Sequence, residues 1–162
     1  MYITNDFQLS IVVGISVALA GYFLLLVNER ENRKILKKSN IHDIDNMNGF
    51  QFEHYLVELF KSLKYNVKRT SDTNDFGADL ILQKDGKKIV VQAKRYKGKV
   101  GVKAIQEILG AKSYYKANSA WVITNSSYTK SALTFARKTN VQLIDRNILI
   151  KMQKKSRKIN NK

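Results

Sequence analysis

The chain has 162 residues, of which 29 are Lys or Arg and 13 are Asp or Glu, so its net charge is +16. It has no Cys, which excludes a disulfide framework, a thiolate zinc site and a cysteine nucleophile, and its two His are too few for a multi-histidine metal centre. An apolar content of 44% is sufficient for a folded core, and the positive charge indicates a polyanionic partner, either nucleic acid or an anionic membrane surface.

Residues 9–27 form a stretch without a charged side chain, which predicts a transmembrane helix. At about 1.5 Å per residue, such a helix is roughly 28 Å long and just spans the apolar core of a bilayer. The segment that follows, residues 28–45, is a basic linker. By the positive-inside rule, residues 1–8 then lie outside the cell and the rest of the chain in the cytoplasm, which predicts a single-pass protein of the cytoplasmic membrane.

Two other interpretations of this stretch stay open. A helix that is apolar on every face is also found buried in protein cores. The sequence Ala18-Leu19-Ala20 resembles a signal-peptide cleavage site, although the first eight residues lack the basic start that such peptides have.

The following part of the chain, residues 46–150, alternates between helical and strand patterns and predicts one domain. Asp85-Gly86 separates two strand patterns and is a strong hairpin signal. Hairpin-linked strands combined with helical crossovers predict an α/β fold, in which a mixed sheet has helices on both faces. The predicted elements are helix 47–64 with Asn48 as its N-cap, strand 65–70, loop 71–77, strands 78–83 and 88–94, helix 102–116, strand 120–124, helix 129–139, strand 141–144 and a short final helix capped by Asp145.

The C-terminal segment, residues 151–162, has six basic side chains and no acidic one. We interpret it as a mobile basic tail that either contacts phosphates or anionic lipid or is simply solvated.

Three polar residues occupy positions that a pure folding role does not require. Asp79 stands in a strand pattern, where acidic residues are depleted. Gln92 and Lys94 are two residues apart in the next strand, so they share one face of the sheet, and the predicted hairpin brings Asp79 beside them. The alternative is that these polar side chains simply face solvent at the edge of the sheet and have no catalytic role.

Glu53 is the fourth polar residue, at the margin of the apolar stripe of helix 47–64. A carboxylate that faces the sheet needs a partner, because an unpaired buried charge is costly. A salt bridge to Lys94 is one candidate, and a metal ion shared with Asp79 is the other.

Such a cluster suits the hydrolysis of phosphodiester bonds. Carboxylate oxygens select hard cations such as Mg²⁺ (or Mn²⁺), and a bound cation polarises a phosphate and lowers the pKa of a water. Asp79 is the predicted principal ligand, with Glu53 acting directly or through water and Gln92 contributing a neutral carbonyl oxygen. The Lys94 ammonium can orient or deprotonate the water and offset charge on the phosphate.

These residues resemble the PD-(D/E)xK nuclease signature, and the surrounding motifs resemble the catalytic domain of Mrr-type restriction endonucleases over roughly residues 46–150. The motifs are Phe50-x-x-Glu53, Asp75-x-Gly77-Ala78-Asp79, Gln92-Ala93-Lys94-Arg95-Tyr96, Val102-x-x-Ile105-Gln106-x-x-x-Gly110-Ala111, Val122-x-Thr124-Asn125 and Leu143-Ile144-Asp145.

The resemblance implies a restriction-endonuclease-like fold and metal-dependent DNA cleavage, with Asp79, Gln92 and Lys94 catalytic and Glu53 a supporting acid. Gln in place of the second acid is usual in this family. Mrr-type enzymes often have a separate DNA-recognition domain, for which this sequence leaves no room. The basic residues expected to bind nucleic acid are Arg95, Lys97, Lys99 and Lys103.

Three functional hypotheses result. The first is a membrane-anchored, Mg²⁺-dependent DNA endonuclease that serves restriction or defence against foreign DNA, and the cleavage of both strands favours a homodimer. The second is a non-catalytic, membrane-tethered DNA-binding protein. The third is a secreted nuclease processed near Ala20.

Overall fold

The computed structural model describes residues 9–24, 41–70 and 76–160, apart from the side chains of residues 41 and 42. The chain divides into two units, Met1–Ile35 and Leu36–Lys162. Predictions for residues 1–8, 25–40, 71–75 and 161–162 lie outside the described residues.

In the first unit, residues 9–24 form a helix, α1, whose large apolar side chains are exposed. Among the residues described, no helix combines the length and the apolar character that crossing a membrane requires. Residues 25–27 of the transmembrane helix predicted over residues 9–27 lie outside the described residues.

The second unit contains a five-stranded mixed sheet flanked by helices, as predicted. The strand order is β1-β2-β3-β4-β5; β1, β2 and β3 are antiparallel, and β3, β4 and β5 are parallel. The strands are β1 (Asn66–Arg69), β2 (Leu80–Lys84), β3 (Lys87–Lys94), β4 (Ser119–Thr124) and β5 (Val141–Ile144). The helices are α2 (Ile41–Asn46), α3 (Gly49–Ser62), α4 (Val102–Tyr114), α5 (Lys130–Thr139) and α6 (Arg146–Asn160).

The turn between β2 and β3 is the predicted hairpin. Asp85 has φ +50° and Gly86 has φ +72°, which is the pair of positive angles that a two-residue turn matched to strand twist requires. This turn sets the register, in which Leu80 lies opposite Val91. The segment that precedes Leu80 is thereby brought alongside the C-terminal end of β3.

Each face of the sheet has its own core. The first face packs against α3 and α6 through buried side chains that include Phe52, Leu56, Leu80, Val91 and Leu149. The second face packs against α4 and α5 through side chains that include Val90, Ala104, Ile105, Ile108 and Ala132. Alternate residues of β3 therefore enter different cores, as period-two geometry requires.

Side-chain caps fix the residues at which α3 and α5 begin. Asn48 accepts a hydrogen bond from the Gln51 backbone (2.8 Å), and the Gln51 side chain accepts one from the Asn48 backbone (2.8 Å), which is a capping box at the predicted N-cap. Thr129 caps α5, which ends at Asn140 with φ +53°, a conformation that Asn tolerates.

The C-terminal segment differs from its prediction. In place of a short helix and a mobile tail, α6 is one helix of 15 residues, capped by Asp145, that packs beside α3. Its buried side chains Leu149, Gln153 and Ser156 are four and three residues apart, so they lie on one face. The Ser156 and Ser62 hydroxyls hydrogen-bond across the two helices. Two of these three buried residues are polar, so a search for apolar residues at helical spacing did not find the buried face of α6.

Replacing Tyr128 with Phe tests how β4 and β5 are held together. The buried Tyr128 hydroxyl donates to the Val122 carbonyl (2.7 Å) and lies 3.1 Å from the Ile144 carbonyl. We expect the variant to lose about 1–2 kcal/mol of unfolding free energy in urea titration. Tyr114→Phe, at an exposed ring, is the control, and equal stability of the two variants would contradict this role.

Candidate active site

Asp79 comes directly before β2 and contacts β3. Its backbone N–H donates to the Val91 carbonyl (2.8 Å), and its carboxylate Oδ2 accepts from the Ala93 backbone N–H (2.6 Å). Ala93 is the residue between Gln92 and Lys94. The carboxylate predicted as the principal metal ligand is therefore held at the strand segment that has the other two predicted residues.

Gln92 and Lys94 point away from the core under α3. Ile89, Val91 and Ala93 belong to that core, whereas Gln92 and Lys94 both contact Glu107 of α4 on the opposite face. The Gln92 Nε2 atom donates to Glu107 Oε2 (2.8 Å), and the Lys94 Nζ atom lies 3.3 Å from the same oxygen. The two side chains thus share one face, as the alternation of strand residues predicted.

Glu107 is a site residue that the sequence analysis missed. It comes three residues after Ala104 and one before Ile108, both buried, so helical periodicity places it on the inner side of α4. Burial alone would raise the pKa of the Glu107 carboxyl, but the Gln92 hydrogen bond and the Lys94 charge together lower it below its usual value. A carboxylate on the inward stripe of a predicted helix was the available signal.

The carbonyl oxygen of Gln92 is the most informative atom in this cluster. Gln92 is 3% exposed, and its Oε1 has no hydrogen-bond partner among the described residues. A buried acceptor without a donor is costly, and a ligand that binds oxygen removes the cost. An oxygen of this kind, on the residue next to the Ala93 whose N–H the Asp79 carboxylate accepts, fits a hard divalent cation that keeps several waters. The described residues hold no cluster of three His, Cys, Asp or Glu, so such an ion would depend on Asp79, the amide oxygen and water.

Glu53 contacts Arg69 of β1. It is on α3, against the other face of the sheet, and its carboxylate is 3.5 Å from the Arg69 guanidinium. The Lys94 ammonium pairs with Glu107, so the predicted alternative of a Glu53–Lys94 salt bridge is wrong. Arg69 is paired with Leu80 in the sheet, which puts Glu53 at the same end of the sheet as Asp79.

The four basic residues predicted to bind nucleic acid occupy three settings. Arg95 and Lys97 line a cavity of about 580 Å³ at the end of the sheet. Lys103 lines a smaller cleft of about 170 Å³ together with Lys94 and Glu107. Lys99 is exposed in the loop that joins β3 to α4. Cationic side chains therefore lie beside the candidate site, in positions that suit phosphate contacts.

Gly77 sets the distance between Asp79 and α4. Its φ is +89°, and a Cβ atom added there would lie 2.9 Å from the Glu107 backbone oxygen. Both the backbone angle and the close approach require Gly. This explains the Gly in the Gly77-Ala78-Asp79 motif, whereas Asp75 of the same motif lies outside the described residues.

Gly77→Ala is expected to destabilise the domain and to move Asp79 away from β3. The matched control is Gly86→Ala, because Gly86 also has a positive φ (+72°) but has open space where a Cβ would be. We expect about 1–2 kcal/mol of lost unfolding free energy for the control and about 1–3 kcal/mol more for Gly77→Ala. Equal losses in urea titration would contradict the close approach.

Glu107→Gln is expected to change the pH dependence of stability. Since the folded-state pKa of Glu107 is lowered, its carboxylate stabilises the fold above the usual Glu value of about 4.3, and this stabilisation is lost as the pH falls through the folded-state pKa. Below about pH 5 the wild type should therefore lose unfolding free energy more steeply than the variant. Parallel curves would argue against the interaction, and Gln106→Ala, exposed on the same helix, is the control.

Comparison with known proteins gives a family match. A family model described as a restriction endonuclease, Mrr_cat, matches residues 44–153, which is more than half of the chain. The Type IV methyl-directed restriction enzyme EcoKMrr of Escherichia coli (strain K12) is 28% identical over 116 residues, which cover 67% of this chain and 38% of that enzyme. The chain thus spans little more than a third of this relative's length.

Two solved structures share the fold. The DNA modification-dependent restriction endonuclease AspBHI superposes with a TM-score of 0.56 at 16% identity, covering 82% of this chain and 38% of that chain. AF1548, a protein of unknown function, has a TM-score of 0.52 at 16% identity, covering 60% and 58%. At these identities the likeness concerns the fold alone.

Proposed function

This chain belongs to the restriction endonuclease family, as its motifs predicted, and on that premise we propose that it is a metal-dependent endonuclease that hydrolyses phosphodiester bonds of DNA. The observation that carries the proposal is the buried Gln92 Oε1, which lacks a hydrogen-bond donor among the described residues and belongs to the strand segment held by the Asp79 carboxylate. Lys94, on the same face as Gln92, supplies a positive charge.

In this proposal Asp79 and the Gln92 carbonyl oxygen hold Mg²⁺ (or Mn²⁺). When bound, the ion polarises the scissile phosphate and lowers the pKa of a bound water. The Lys94 ammonium orients the attacking water and stabilises the negative charge that develops on the phosphate oxygens. Glu107 holds the Gln92 amide by its Nε2 atom, which directs Oε1 away from α4.

Glu53 is proposed as a supporting acid. Its ion pair with Arg69, at the Asp79 end of the sheet, supports an indirect role through water or through Arg69. A direct bond from Glu53 to the ion is the less favoured arrangement, because α3 packs on the face opposite to Gln92 and Lys94.

DNA is the proposed substrate. The names of EcoKMrr and AspBHI describe restriction enzymes that depend on DNA methylation or modification, and those dependences belong to proteins of which this chain spans only 38%. What supports DNA here is the family and the net charge of +16. The cleavage of both strands would need two active sites, so a homodimer is part of the proposal for double-strand breaks.

A membrane anchor is a separate proposal that depends on the sequence alone. The uncharged stretch 9–27 and the basic segment 28–45 support a cytoplasmic nuclease domain at the inner face of the membrane. Fractionation of cells would find the chain with membranes, and recovery in the supernatant after a salt wash would contradict the anchor.

Cleavage assays with the full chain test the nuclease function. With duplex DNA and Mg²⁺ we expect nicking that a chelator abolishes. Asp79→Asn and Lys94→Ala should each lower the cleavage rate about 10²–10³-fold, because each removes a charge that acts on the transition state. DNA binding by Lys94→Ala, measured without metal, should change little.

The control is Lys87→Ala, which removes an exposed charge from the other end of β3. A comparable rate loss in this variant would show that net charge, and not the site, governs cleavage. Salt-sensitive DNA binding without cleavage under any divalent ion would instead favour the non-catalytic, membrane-tethered DNA-binding protein.

A further inference from the structure

The larger cavity beside the candidate active site lies at the carboxyl ends of the parallel strands. It has a volume of about 580 Å³ and is lined by the segments that follow three parallel strands, β3, β4 and β5, together with the end of α2. Open α/β sheets bind ligands at the carboxyl ends of their strands, where the connecting segments diverge. The volume lies in the range of small-ligand sites and is sufficient for one nucleotide.

Tyr96 connects this cavity to the proposed hydrolytic site. It lines the larger cavity, and it also lines the smaller cleft that contains Lys94, Lys103 and Glu107. Its side chain is 53% exposed, although aromatic rings are commonly buried in cores. Tyr96 is therefore common to the two spaces, and it is exposed enough for a ligand to contact it.

A hydrogen-bond network holds the Tyr96 segment in place. The Tyr96 backbone N–H donates to the Asn125 side chain (2.8 Å), and the Asn125 amide donates to Asp45 (2.9 Å). The Arg146 guanidinium donates hydrogen bonds to both carboxylate oxygens of Asp45, at 2.6 and 2.8 Å. Asn125 is only 4% exposed, so the network is part of the fold. The Tyr96 backbone and this wall of the cavity are pre-organised, which lowers the entropic cost of binding a ligand.

Among the charged residues that line the cavity, Asp45 pairs with Arg146 and Asp145 caps α6. The remaining two, Arg95 and Lys97, indicate the class of ligand. Arg95 and Lys97 flank Tyr96 in sequence and line the same cavity, so two cations lie beside one exposed aromatic ring. Cations that track phosphates, combined with rings on which bases stack, are how proteins bind single-stranded nucleic acid. A base inside a duplex is already stacked on both sides and cannot lie on a protein ring unless it leaves the helix.

We propose that this cavity is a subsite for one unpaired nucleotide next to the scissile phosphate, with its base stacked on Tyr96 and its phosphate bound by Arg95 and Lys97. The proposal rests on the nuclease function and refines its substrate: the preferred DNA has an unpaired nucleotide at the cleavage position, as in a single strand, a gap or a flap. Lys94 and Lys103 line the smaller cleft that Tyr96 also lines, so the adjoining phosphate would enter that cleft.

Binding measured without divalent ions tests the subsite separately from catalysis. The full chain is titrated with two fluorescein-labelled DNAs, a short single strand and a blunt hairpin duplex, in chelator and at fixed salt. Tyr96→Ala should weaken single-strand binding about 5- to 100-fold, which corresponds to the value of one base stacked on an aromatic ring. Binding of the hairpin should stay within about twofold, because the hairpin offers no unpaired base.

Tyr96→Phe and Tyr114→Ala are the matched variants. Tyr96→Phe keeps a ring for stacking and should bind both DNAs like the wild type. Tyr114→Ala removes an exposed ring that lies outside the cavity, and it should also leave binding unchanged. Equal affinities of Tyr96→Ala and wild type for the single strand, or an equal loss for both DNAs, would overturn the subsite.

A second measurement keeps the test decisive if Tyr96→Ala is poorly folded. A single strand with 2-aminopurine at one position loses fluorescence when that base stacks on a ring, so wild type and Tyr96→Phe should quench it, and Tyr96→Leu should not. Quenching by Tyr96→Leu would contradict the subsite. If binding depends on Tyr96 but no variant or wild type cleaves with Mg²⁺, the nuclease function fails and the nucleotide subsite stands.

Discussion

The hydrogen bond from the Ala93 backbone N–H to the Asp79 carboxylate is the contact on which the site depends. The donor is a backbone N–H of β3, and Asp79 comes directly before β2, so the sheet itself fixes this oxygen of the carboxylate. Gly77 makes this possible, because only a residue without a Cβ can pass so close to α4 at a positive φ. The sheet therefore fixes the positions of the proposed catalytic residues, and the loops contribute the cavities beside them.

Glu107 connects the two predicted catalytic side chains of β3. A carboxylate on the inner side of α4 accepts from the Gln92 amide and pairs with the Lys94 ammonium, so both predicted catalytic side chains have one anchor. The same anchor leaves the opposite atom of the Gln92 amide, Oε1, buried and without a donor among the described residues. In a side-chain amide that binds a metal ion, the nitrogen is held by a hydrogen bond and the oxygen is left without a donor until the ion binds. Gln92 has this arrangement.

Local patterns predicted the parts of the structure that local geometry controls. Period-two alternation and the Asp85-Gly86 turn were enough to put Gln92 and Lys94 on one face, since both depend on neighbours in sequence. Glu107 was missed because its role depends on how closely α4 approaches the sheet, which Gly77 determines across a distance in sequence. The length of α6 was missed because the face it buries includes Gln153 and Ser156, which no hydropathy pattern assigns to a core.

Crystals of the full chain soaked with Mn²⁺ would test the central claim most directly, by anomalous scattering. The account predicts one strong peak within coordination distance of both an Asp79 carboxylate oxygen and Gln92 Oε1, and a weaker peak or none in crystals of Asp79→Asn. A peak at other residues, with Gln92 Oε1 still without a ligand, would contradict a hydrolytic centre built on Asp79, Gln92 and Lys94.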